Sequence, residues 1–211
     1  MFLSFFTAFS QDIELAEEDT TYQNLWMLGV GYNIVDDSGN FFDEPFNISD
    51  NWNALPYPSR ISIGRYFNNG LGIEFIGSYN KYKEGKIIDK NVNTVETDYF
   101  ALDGRLSYDL NKIIGQSNFF DSYIGAGMGY TEANNISRTT FNTTIGIRTW
   151  FTNRLGLDVN AVGKWSLNTT KSNHIQYGLG LVYKFNVKEG YTRKERTIEL
   201  ARVRSNRTGK S

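Results

Sequence analysis

The stretch His174-Ile175-Gln176-Tyr177-Gly178-Leu179-Gly180-Leu181-Val182-Tyr183-Lys184-Phe185 alternates strictly. Ile175, Tyr177, Leu179, Leu181, Tyr183 and Phe185 fall on one face of an extended chain. His174, Gln176, Gly178, Gly180 and Lys184 fall on the other. Side chains of a strand point to opposite faces with a period of two, so this stretch reads as a strand with one apolar face and one small or polar face.

The same alternation recurs seven times upstream. Trp26, Leu28, Val30 and Tyr32 oppose Met27, Gly29, Gly31 and Asn33. Ile61, Ile63 and Phe67 oppose Arg60, Ser62, Gly64 and Tyr66. Arg65 falls on that apolar side, at a strand end where an arginine can snorkel to an interface. Leu71, Ile73, Phe75 and Tyr79 then oppose Gly72, Glu74, Ser78 and Asn80. Phe100, Leu102, Leu106 and Tyr108 oppose Ala101, Asp103, Arg105, Ser107 and Asp109. A nearly bare face of Gly125, Gly127 and Gly129 backs Ile124, Ala126, Met128 and Tyr130. Phe141, Ile145, Ile147 and Phe151 back onto Asn142, Thr144, Gly146 and Arg148. Leu155, Leu157, Val159 and Trp165 back onto Asp158, Asn160 and Lys164.

Each run approaches the roughly 9 to 11 residues that a tilted strand needs to cross a bilayer. Which face is the interior decides the class. If the small and charged set lies inside, Arg60, Glu74, Asp103, Arg105, Arg148, Asp158 and Lys164 can satisfy one another as a lumen charge network. The aliphatic set then forms an outward belt too large for a soluble monomer and suited to lipid. Aromatic residues near strand ends, among them Trp26, Tyr79, Tyr108, Tyr130, Trp165, Tyr183 and Phe185, match the girdles of such barrels. The expected fold is an all-β, eight-stranded, antiparallel up-and-down transmembrane β-barrel.

Composition fits this expectation. The 211 residues include 20 glycines, 3 prolines and 15% aromatics, and the mean hydropathy is negative. The absence of cysteine removes disulfides, thiolate metal sites and a cysteine nucleophile. A net charge of -1 gives no field for gathering nucleic acid. No cofactor motif is present, because the glycines alternate along strands instead of clustering before a helix.

Along the chain, residues 1–10 read as a signal peptide remnant ending Ala8-Phe9-Ser10, and 11–24 as an N-terminal periplasmic segment. Residues 25–187 read as the barrel, and 188–211 as a basic periplasmic tail carrying Lys188, Arg193, Lys194, Arg196, Arg202, Arg204, Arg207 and Lys210. Asn68-Asn69-Gly70 and Thr152-Asn153-Arg154 read as tight turns, and 34–59 and 83–96 as long polar loops. Residues 111–118 form a longer turn than this scheme expects. Both termini are then expected in the periplasm of a bacterial outer membrane.

A family resemblance covers roughly residues 52–185. The runs Trp52-Asn53-Ala54-Leu55-Pro56-Tyr57-Pro58-Ser59-Arg60-Ile61-Ser62-Ile63-Gly64-Arg65-Tyr66, Phe120-Asp121-Ser122-Tyr123-Ile124-Gly125-Ala126-Gly127 and His174 to Phe185 resemble OmpA-like outer-membrane barrels of Bacteroidetes-type bacteria. The resemblance implies the barrel portion alone, with no peptidoglycan-binding domain after Phe185. It also implies an assembly signal at Gly180, Tyr183 and Phe185, read by the outer-membrane barrel assembly machinery.

The expected role is structural, in envelope integrity, with a side-chain-filled lumen and at most weak small-solute conduction. Outer-membrane lipid is the expected partner, a larger outer-membrane protein complex a further one, and nucleic acid none. Rival readings are an interaction subunit of such a complex, a barrel enzyme and a soluble ligand-binding barrel. Nothing in the sequence argues for an enzyme: His174, the one histidine, has only Ser166 and Ser172 nearby and no acid locked to either. Asp36, Asp37, Asp43, Glu44 and Asp50 read as solvated loop charge, since their spacing matches no cation-binding loop.

Overall fold

In the computed structural model, residues 25–39, 47–115, 120–167 and 173–185 are described. The alternating stretches become eight barrel strands: β1 (Leu25–Asp36), β2 (Arg60–Tyr66), β3 (Leu71–Tyr82), β4 (Thr97–Asp109), β5 (Phe120–Ala133), β6 (Ile136–Trp150), β7 (Leu155–Ser166) and β8 (His174–Phe185). Each pairs antiparallel with its neighbours in sequence, and β8 returns to pair with β1 from Trp26↔Phe185 to Asp36↔Ile175. The sheet is thereby closed, which leaves no barrel-strand edge to template aggregation.

Register and parity agree throughout. Val30, Ile61, Phe75, Leu102, Ile145 and Leu181 are exposed, whereas Arg60, Glu74, Arg105, Arg148, Asp158 and Lys164 are buried. The barrel is inside out relative to a soluble domain, with charge within and aliphatics without. Phe75 is 66% exposed and Lys164 0%. Water would make that arrangement costly, and a hydrocarbon surround makes it favourable.

The connections differ between the two ends. At the end holding the start of β1 and the finish of β8, residues 67–70 and 151–154 are tight turns. The β4–β5 connection there carries the short helix α1 (Asn111–Ile114), which accommodates the extra residues of the long turn. At the opposite end the first connection contains the helix Ile48–Asn51 and a short strand, Trp52–Ala54, that pairs back onto Ile34–Asp36. Residues 83–96 fold into a hairpin in which Ile87–Ile88 pairs with Asn91–Val92.

Two details depart from the sequence reading. The β5–β6 connection, although on the long-loop side, is a two-residue turn in which Asn134 and Asn135 have φ of 54° and 59°. Asparagine tolerates this left-handed region, which matches the twist of a hairpin. In addition, Asp36 and Asp37 are fully buried and not solvated. β1 runs further than expected, and Asp37 accepts a hydrogen bond from the Tyr82 hydroxyl at 2.7 Å. The expected signal peptide remnant, the 11–24 segment, the 188–211 tail, Asp43, Glu44 and Ser172 lie outside the described residues.

Candidate functional site: the barrel lumen

The inward positions of strands far apart in sequence meet at the barrel axis. Glu74 of β3 receives Arg105 of β4, and the Arg148 guanidinium of β6 approaches it at 3.0 Å. Arg148 also donates to Asp158 of β7 at 3.1 Å, and Arg60 of β2 stands 3.9 Å from that carboxylate. The Tyr66 hydroxyl donates to Glu74 and accepts from Arg148, while the Tyr123 hydroxyl donates to Asp158 at 2.9 Å. Both rings also carry the Arg148 guanidinium, Tyr123 at 4.0 Å and Tyr66 at 4.8 Å from centroid to Cζ. Removing ions from water is costly, and this lattice offsets the cost because Glu74, Arg148 and Asp158 each have several partners.

A second layer lies nearer the long-loop end. Lys164 Nζ donates to both Asp103 oxygens at 2.8 Å, and Asn142 donates to the same carboxylate at 2.8 Å. The structure therefore pairs all seven residues of the expected lumen charge network, in two groups: Glu74, Arg105, Arg148, Asp158 and Arg60 in one, Asp103 and Lys164 in the other. Beside them Thr144 Oγ1, Asn160 Oδ1 and Gln176 Oε1 are buried without a protein partner among the described residues. Such groups in a polar interior are satisfied by water.

His174 belongs to this second layer. It is wholly buried, and its Nε2 lies 3.0 Å from the Tyr99 hydroxyl oxygen. The two rings pack edge to face at 5.7 Å. Buried at the axis and set against a tyrosine, His174 acts here as a lumenal packing and hydrogen-bonding group.

Among the described residues, an apolar cap lies at the long-loop mouth. Val35, Tyr82, Tyr99, Ala101 and Ala133 point inward from four strands and meet Ile88 of the folded hairpin in one apolar cluster. The hairpin tip is tied to the first loop, Asp89 N–H donating to the Asp37 carbonyl at 2.7 Å and Lys90 N–H to that of Ser38 at 2.9 Å. Arg138 approaches Asp37 at 3.7 Å. Arg138, Tyr82 and Tyr99 were not singled out from the sequence, and Asp37 was read only as solvated loop charge. Stepping back by twos from Asn142 would have placed Arg138 inside, but its partner depends on where the loop folds.

The opposite end opens to solvent through a recess of about 570 Å³, a figure that includes solvent at its mouth. Met27, Phe67, Leu71, Asp121, Arg148 and Lys184 are among the residues that line it. Of the three residues expected to form an assembly signal, Gly180 faces Gly31 across the β8–β1 seam, and Tyr183 and Phe185 are exposed with their rings 5.1 Å apart.

A closed eight-stranded barrel with an ion-paired interior and an aliphatic exterior has the fold of the outer-membrane β-barrels. Among solved structures it resembles the outer membrane protein OprG of Pseudomonas aeruginosa, at 12% identity over 78% of this chain and 97% of that one, with a TM-score of 0.51. Neisserial surface protein A matches over 76% of this chain and 96% of its own, at 13% identity and a TM-score of 0.50. The N-terminal β-barrel domain of OprF from Pseudomonas aeruginosa matches at 16% identity over 77% and 98%, with a TM-score of 0.48. No protein-family model and no curated protein matches the sequence. At these identities the likeness is one of fold.

Proposed function

We propose that the chain is a structural, non-enzymatic barrel of a bacterial outer membrane that contributes to envelope integrity. One observation carries this reading: the lumen is crossed by the Glu74–Arg148–Asp158 lattice and capped by the Tyr82–Tyr99–Ile88 cluster, while aliphatic side chains ring the outside. An eight-stranded barrel has room for side chains or one small ligand, and here side chains take that room. Conduction is accordingly weak at most. Lipid is the partner of the outer surface, and the Gly180, Tyr183 and Phe185 pattern supports recognition by the barrel assembly machinery. The resemblance to OmpA-like barrels of Bacteroidetes-type bacteria is part of this proposal, as is a periplasmic location of the end that carries α1 and both strand termini.

The test is extraction and gel mobility. The protein should require detergent, migrate faster unboiled than boiled, and show conductance in planar bilayers far below that of a diffusion pore. Recovery in buffer without detergent, with no heat-dependent shift, would overturn the reading.

A second reading, docking on a larger outer-membrane complex, is favoured by α1, where Ile113 and Ile114 are 70% and 73% exposed. Co-purification in mild detergent, lost on substitution of both isoleucines by serine, is the corresponding test.

A further inference from the structure

Arg65 departs from the pattern of the outer surface. It points outward from β2, cross-strand from Trp26 on one side and Ile73 on the other. Its guanidinium carbon stands 5.8 Å from the centroid of the Trp26 ring and 5.6 Å from that of Phe67. Among the described residues no carboxylate or other acceptor lies within hydrogen-bonding reach of it. The lumenal arginines Arg60, Arg105 and Arg148 differ, each standing within 4 Å of a carboxylate.

A guanidinium presents a planar fork of donors and is always charged. Trp26 and Phe67 attract its positive charge to their ring faces but offer no lone pairs. The donors are therefore held in place with no acceptor among the described residues, which leaves them open to one from outside the barrel. Depth identifies it. Arg65 lies one position before the end of β2, level with Trp26 and Phe185 of the aromatic girdle at the terminus-bearing end. Headgroups meet the protein at the level of such girdles, and the group of fitting charge and geometry there is a phosphate, which arginine binds in a bidentate manner.

We propose that Arg65, braced by Trp26 and Phe67, forms a binding site for the phosphodiester of a glycerophospholipid in the leaflet at the terminus-bearing end. This rests on the outer-membrane reading above. The acyl chains of that lipid lie on Leu28, Ile63 and Ile73, which continue the belt from the same corner of the barrel. The site fixes the vertical position of the barrel by a specific contact as well as by mismatch with the bilayer.

The full chain, folded in detergent, is tested by native mass spectrometry after addition of phosphatidylglycerol or of a phosphate-free galactosyl diacylglycerol. The wild type should retain phosphatidylglycerol in preference to the galactolipid. Arg65→Met, which suits a belt position and so preserves folding, should lower phosphatidylglycerol retention by about tenfold, the loss expected for charge-assisted hydrogen bonds. Arg65→Lys, which keeps charge without the fork, should fall between the two. Equal retention by wild type and R65M, or no preference for the phospholipid, would overturn the site. Each sample is also run unboiled and boiled. A heat shift with equal lipid retention overturns the site alone, whereas a wild type without a heat shift overturns the barrel reading and the site with it.

Discussion

Glu74 and Arg148 meet at 3.0 Å across the lumen although 74 residues separate them in the sequence. They stand on β3 and β6, strands that do not pair with each other, so their contact crosses the interior and does not follow the wall. The ion pair and the Tyr66 hydroxyl bonded to both partners cross the lumen at that level.

Replacing Glu74 by alanine removes the acceptor of Arg105 and one of the two carboxylates that hold Arg148. An unpaired buried guanidinium is strongly unfavourable, so Glu74→Ala should destabilise the folded barrel by about 3–5 kcal/mol. The midpoint of urea unfolding in micelles or liposomes, followed by tryptophan fluorescence, measures this. Glu74→Gln should cost less, because an amide oxygen still accepts.

The seam between β1 and β8 brings Gly31 opposite Gly180. A Cβ added at Gly180 would stand 2.8 Å from the Val30 carbonyl oxygen, closer than such atoms approach. Gly180→Val should therefore impair closure and reduce the fraction of heat-shifted protein after refolding into detergent in the absence of any assembly factor. If refolding in vitro were unaffected while assembly in cells failed, Gly180 would be a recognition residue and not a packing one.

Ile145 is 63% exposed and lies midway along β6, between its neighbours Ile124 and Ala161. Ile145→Arg should cost about 2–4 kcal/mol in a bilayer, the depth-dependent penalty for a charge at the midplane. Val92→Arg, on the hairpin of the long-loop end, should be close to neutral. Equal effects at the two positions would count against a lipid-facing belt.

Closure of the long-loop mouth depends on Tyr82, Tyr99 and Ile88. The double variant Tyr82→Ala with Tyr99→Ala removes most of the cap and should raise single-channel conductance in planar bilayers above that of the wild type. No change would show that the Glu74–Arg148 level alone limits passage.

The Asn134–Asn135 turn gives a backbone prediction. Both residues have positive φ, so Asn135→Gly should be neutral or slightly stabilising. Asn135→Val should cost on the order of 1–2 kcal/mol, because a side chain branched at Cβ meets the following carbonyl in that conformation. Urea unfolding of the two variants checks the sign.

Parity made most of the fold legible. Alternation assigned each strand residue to the inner or outer face, and closure follows once eight such strands exist, because an apolar outer face needs lipid and unpaired edges cannot remain in it. The same parity assigned Arg60, Glu74, Asp103, Arg105, Arg148, Asp158 and Lys164 to the interior. It could not say which cation meets which carboxylate, since pairs such as Glu74 with Arg148 depend on the stagger of strands around the barrel.

The sequence by itself determined the period of two, the number of strands and the identity of the lipid-facing set, because these follow from local backbone geometry and transfer free energy. Only the tertiary structure decided the burial of Asp36 and Asp37, the inward folding of the 83–96 hairpin onto Tyr82 and Tyr99, and the setting of Arg65 between Trp26 and Phe67. Those features depend on which loop or side chain reaches which neighbour in space, and strand periodicity carries no information about that.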